Sequence, residues 1–198
     1  MKKILGCLIL AIAFLSIQAQ NPLFSKIDSL IGTSEFQPAL QLIESELSKS
    51  KSGDGAIWLT SKKAEALISL GNLGEAETLL NTINTLEKSV PLQGMVLTNI
   101  GYLYLNKGRN DLALQYLEEA LTKFQESNSR DTKEGARCLS TLVLVYSSTG
   151  KYKQAESNQN IALQIRLKIF GENSEEVAAS YNDLGLVYSQ SDPDKALE

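Results

Sequence analysis

The side chains that usually carry out chemistry are scarce in this chain. It contains no histidine, which excludes a Ser-His-Asp triad, a Cys-His dyad and a histidine-ligated metal centre. Its two cysteines are Cys7, inside an N-terminal apolar run, and Cys138, near the start of an expected helix. At such a position a cysteine ordinarily serves as a small buried apolar residue. The adjacent carboxylates Glu118-Glu119 and Glu175-Glu176 could form an acid–base pair only if desolvated, and their helix positions are expected to be solvated. No glycine-rich loop follows a strand pattern, so no phosphate cradle is expected. Catalysis within these 198 residues is therefore not expected, and no cofactor or metal is called for. Binding remains, and its side chains must be placed by the elements that carry them.

Those elements read as helices. The chain is 43% hydrophobic and 21% charged, with only four prolines, none at an expected helix centre, and β-branched runs are rare. This composition suits an all-α globular protein. In the stretch from Gly94 to Glu126, Leu97, Ile100, Leu103 and Tyr104 form an apolar stripe at helical spacing. Gly101 leaves room for a neighbouring helix, and Gly108 can take the positive φ that ends one. Ala113 and Ala120 lie two turns apart on the next helix, where small residues permit tight packing.

The pattern recurs. Ala39, Ala76, Ala113 and Ala155 take the same small position, at steps of 37, 37 and 42 residues. Ser34, Gly71, Gly108 and Gly150 mark the turns, and Leu30, Leu67, Tyr104, Tyr146 and Tyr188 mark a bulky position before them. Hairpins are expected at about 22–50, 56–88, 90–126 and 131–171, with an incomplete fifth at 174–198. Ser89 is the expected cap of the third, and Asp131 of the fourth, where Asp131-Thr132-Lys133-Glu134 has capping-box spacing.

The first residues have another character. Lys2 and Lys3 precede an apolar run from Ile4 to Ile17, followed by Ser16-Ile17-Gln18-Ala19. This is the pattern of a secretory signal peptide cleaved near Ala19, and the run is shorter than the ~20 residues a membrane span needs. A lipobox reading of Ile4-Leu5-Gly6-Cys7 fails because the apolar stretch follows Cys7 instead of leading to it. The expectation is a leader at 1–19, an array at 20–198, and export to the periplasm of a Gram-negative-type bacterium without a remaining transmembrane span. Loss of Lys2 and Lys3 leaves 17 Lys+Arg against 23 Asp+Glu. With no basic stripe in view, a nucleic-acid partner is not expected.

The recurring unit resembles the tetratricopeptide repeat (TPR), a helix-turn-helix module. Residues 131–198, with their 42-residue step and the run Ala162-Leu163-Gln164-Ile165 through Gly171-Glu172-Asn173, resemble the longer TPR variety of kinesin light chains. The same variety occurs in bacterial proteins whose arrays precede a caspase-like (CHAT) protease domain. The resemblance implies a right-handed α-solenoid of about five antiparallel hairpins, the last incomplete, that binds a protein or peptide on the concave face lined by its first helices. Carried over by helix position, the second unit offers Trp58, Ser61, Lys62 and Glu65. The groove residues singled out are Asn99, Tyr102 and Asn106 in the third unit, Arg137, Thr141 and Leu144 in the fourth, and Asn182 and Leu186 in the fifth. An asparagine amide donates and accepts together, which suits a peptide backbone. It equally suits a hydrogen bond between repeats. Two function classes follow: an exported interaction scaffold, or the sensing and docking region of a longer protein whose protease or kinase domain lies beyond residue 198.

Overall fold

A computed structural model describes residues 22–49 and 52–191. The expected leader, Cys7 and the cleavage site near Ala19 lie outside these residues, as does the expected start of the fifth hairpin's second helix after Asp192. Among the described residues the chain is all-α. The first hairpin pairs α1 (Pro22–Gly32) with α2 (Phe36–Lys49), and the second α3 (Gly53–Ser69) with α4 (Leu73–Asn84). The third pairs α5 (Val90–Asn106) with α6 (Asn110–Glu126), and the fourth α7 (Lys133–Ser148) with α8 (Tyr152–Phe170). A further helix, α9 (Glu175–Ser191), packs on α8. α3 begins earlier than its apolar pattern suggests, because Gly53-Asp54-Gly55 join it and Asp54 lies in its first turn, where the helix dipole favours a carboxylate.

One turn closes each of the first four hairpins. Ser34, Gly71, Gly108 and Gly150 have φ of 61°, 78°, 71° and 71°. The next residue donates its N–H back to the bulky position: Glu35 to Leu30, Asn72 to Leu67, Arg109 to Tyr104 and Lys151 to Tyr146, each at 2.8 Å. This is the Schellman closure, which satisfies carbonyls left open at a helix end.

The small positions fix the packing. Ala39, Ala76, Ala113 and Ala155 are all fully buried. At Gly101 a Cβ would lie 2.6 Å from Leu117 Cγ and 3.2 Å from the Ala113 carbonyl, so α5 and α6 can meet this closely only without a side chain there. One cluster around Ile27, Trp58 and Leu80 joins the first two hairpins to α5. Farther along, smaller clusters join successive helices, as expected when each repeat packs on its neighbours.

One cap differs from the sequence reading, and another agrees with it in position. Thr132, not Asp131, caps α7, its hydroxyl accepting from the Gly135 N–H at 3.3 Å. The preceding loop lies so close that a Cβ on Gly135 would fall 2.0 Å from the Arg130 carbonyl oxygen. Ser89 occupies the N-cap of α5 but its side chain makes no capping bond.

Candidate functional site

Counting by the repeat step brings Asp28, Glu65, Tyr102, Leu144 and Leu186 to one position on α1, α3, α5, α7 and α9. This ladder runs along the face shared by the first helices and changes from charged to apolar along the array.

Its charged end is locked. Lys62 pairs with Asp28 at 2.8 Å and with Glu65 at 3.2 Å. Arg137 on α7 holds Glu65 at 2.9 Å through Nε and donates through Nη2 to Asn99 Oδ1 at 2.6 Å. The Asn99 amide nitrogen donates to the Ser61 carbonyl at 2.9 Å and to its hydroxyl at 2.8 Å. Lys133, one turn before Arg137, reaches Asp28 at 3.1 Å. The first helices of four successive hairpins thus share one polar network, and the fourth hairpin returns to the first.

Burial alone would neutralise these groups, but their partners keep them charged. Desolvation pushes against the Lys62 ammonium, yet the carboxylates of Asp28 and Glu65 hold its pKa above the ordinary lysine value. Burial likewise works against ionised Glu65 and Asp28. Arg137 and Lys62 outweigh it at Glu65, and Lys62 and Lys133 at Asp28, so both carboxyls sit below their usual range.

The sequence-derived groove residues therefore divide. Asn99 is fully buried and its amide is spent on Ser61 and Arg137, so it serves the hydrogen bond between repeats. Arg137 is spent on Glu65 and Asn99. Thr141 is buried, its hydroxyl donating to the Arg137 carbonyl at 3.0 Å. Asn106 is exposed and donates to the Tyr102 carbonyl at 2.8 Å. Tyr102 is half-buried, whereas Leu144 and Leu186 are 49% and 62% exposed. Asn182 is exposed but shares the register of Thr98 and Ser140, one residue off that of Asn99. The residue in the Asn99 register on α9 is Asp183.

Asp183 belongs to a second network that sequence reasoning missed. Gln159 on α8, fully buried, donates to the Ser180 carbonyl at 3.0 Å and to Asp183 Oδ2 at 3.1 Å. Arg166 donates to Ser180 Oγ at 2.5 Å and to Ser140 Oγ at 2.9 Å, joining α7, α8 and α9. A signal existed: Gln159 lies on the helical stripe of Ala155 and Ala162, where an amide must find partners. Cys138 is buried, and desolvation pushes its thiol up to about 12, so it is a packing residue and not a nucleophile.

Between α1 and the far hairpins lies a cleft of about 760 Å³, bordered by Phe24, Trp58, Lys133, Arg166, Phe170 and Glu176 among others. Of these only Trp58 was among the sequence-derived candidates.

The stacked antiparallel hairpins with a shared inner face define an α-solenoid of the kind that carries protein-binding repeats. Within that class the chain belongs to the tetratricopeptide repeat family, whose sequence pattern it matches over residues 92–166 and 140–198. A comparison with curated proteins finds no match. Among solved structures the chain is similar to BtubC (BKLC) from P. vanneervenii, with a TM-score of 0.65 and 23% identity, covering 89% of this chain and 70% of that one. It is also similar to a putative kinesin light chain with nearly identical TPR-like repeats from Podosopora anserina, with a TM-score of 0.57 and 16% identity over 91% and 90% of the two chains. At these identities the likeness is one of fold. No helix among the described residues is long and apolar enough to cross a membrane.

Proposed function

We propose that this chain is an exported scaffold that binds a protein or peptide segment along the face formed by its first helices. One observation carries the reading: in the ladder Asp28–Glu65–Tyr102–Leu144–Leu186, the charged end is closed by internal pairing while Leu144 and Leu186 stand open to solvent. Exposed leucines scattered singly mean little. Two at the same repeat position, next to half-buried Tyr102, form a stripe suited to the apolar side chains of a partner. Tyr102, Leu144, Asn182 and Leu186 are the contact residues in this reading; Asn99, Arg137 and Thr141 stiffen the wall behind them. Export follows from Lys2-Lys3 and the apolar run to Ile17.

The test is affinity capture from the periplasm with the full chain and its Leu144→Glu/Leu186→Glu variant. The expected result is a partner retained by the parent and lost by a variant with an unchanged circular dichroism spectrum. Capture of the same set by both removes the stripe from the function.

A further inference from the structure

The inner cleft has features that the exposed stripe does not share. Its floor is apolar: the rings of Phe24 and Trp58 lie with centroids 4.3 Å apart, and Ile169 and Phe170 border the same space. Trp58 is only 1% exposed, yet its indole N–H has no hydrogen-bond partner among the described residues. A buried indole N–H ordinarily finds an acceptor.

The rim is acidic. Asp131, Glu134, Glu175 and Glu176 border the cleft, and none is seen in an ion pair among the described residues. Of the two bordering cations, Lys133 pairs with Asp28 at 3.1 Å, while Arg166 hydrogen-bonds Ser180 and Ser140 and attracts Glu176, so the carboxylates on the rim outnumber the cations. Glu134, Glu175 and Glu176 lie in the first turns of α7 and α9, where the helix dipoles help to hold negative charge.

We propose that this cleft binds a basic peptide segment carrying a bulky apolar side chain. The apolar side chain fills the floor against Phe24, Trp58, Ile169 and Phe170. The segment's lysine or arginine side chains meet the rim carboxylates. Each feature selects one property of the occupant: the floor its bulk and the rim a positive charge. The proposal rests on reading the array as a protein-binding scaffold, but it does not use the Leu144–Leu186 stripe.

Trp58 is the only tryptophan, so its emission reports on the cleft. The full chain is titrated with three short synthetic peptides: one of Lys, Arg and Gly around a central Phe, an acidic counterpart with Glu for each cation, and a neutral one with Ser. The expected result is a saturable shift of Trp58 emission with the basic peptide alone. Binding should weaken about tenfold in Glu175→Lys/Glu176→Lys, where exposed charges are reversed without touching the core. Should that variant misfold, the same charge dependence is read as a fall in parent affinity with added salt. Because the peptide titration reads Trp58 and partner capture reads Leu144 and Leu186, failure of the cleft and failure of the stripe give separate signals. Any of three results overturns the proposal: emission unmoved by about 1 mM basic peptide, equally tight binding of the acidic peptide, or affinity indifferent to both charge reversal and salt. A concentration-dependent emission shift without peptide would assign the cleft to a second copy of the chain and overturn it as well.

Discussion

Arg137 on α7 and Glu65 on α3 meet at 2.9 Å although α5 lies between them in the chain. The same guanidinium takes Asn99 on that intervening helix at 2.6 Å, so one side chain ties three successive hairpins. A planar fork of donors accepts few relative placements of its partners. The network therefore constrains how α1, α3, α5 and α7 sit relative to one another. Buried ion pairs rarely improve on apolar packing, but they are costly to break.

Glu65→Gln should accordingly cost roughly 3 kcal/mol, because it strips a buried charge from both Lys62 and Arg137. Urea unfolding followed by circular dichroism measures it. Arg137→Leu should cost a comparable amount, and the double variant less than the sum of the two, since both changes remove one interaction. Additive losses would mean that the two residues contribute separately.

The same network gives stability a pH dependence with a definite sign. Asp28 and Glu65 have folded pKa values below their ordinary 3.8 and 4.5. Their contribution is complete above those unfolded values and is lost as pH falls through the lower folded ones. Lys62 is shifted upward from 10.5, so its contribution is complete below that value and is lost as pH rises through its higher folded pKa. Between these limits the network adds no slope. Thermal melts across the acid range should show a shallower decline for Glu65→Gln than for the parent. Parallel acid limbs would show that Glu65 titrates alike in the folded and unfolded chains.

The repeat was legible because its signals are local. A small residue at Ala39, Ala76, Ala113 and Ala155 and a turn at Ser34, Gly71, Gly108 and Gly150 each constrain a single hairpin, and their spacing survives in the sequence. The inner face was less legible because its chemistry is decided between hairpins. Asn99 as a residue type fits a ligand or a neighbour equally well, and only the approach of Arg137 and Ser61 decides. Leu144 and Leu186 could be placed on the inner face by register, but the pairing that closes the Asp28 end and leaves them open could not. The cap of α7 shows the same limit at short range: Asp131 and Thr132 are both good caps by type, and only the folded loop, which puts the Thr132 hydroxyl 3.3 Å from the Gly135 N–H, decides between them.

The turn series supplies a prediction independent of the inner face. Ser34 has φ of 61° where the three equivalent turns use glycine at 71–78°. An L-residue in this left-handed region costs roughly 1–2 kcal/mol that glycine avoids, offset in part by the greater freedom glycine has in the unfolded chain. The Ser34 backbone keeps the same closure, with Glu35 N–H on the Leu30 carbonyl at 2.8 Å, so substitution changes the strain and not the bonding. Ser34→Gly should stabilise the chain by about 0.5–1 kcal/mol. Gly108→Ala, the reverse change at an equivalent turn, should destabilise it by about 1 kcal/mol. Both are read from the midpoint of urea unfolding with the slope unchanged. A midpoint that falls in Ser34→Gly would mean that the serine side chain holds the first turn by a contact worth more than the strain of its backbone.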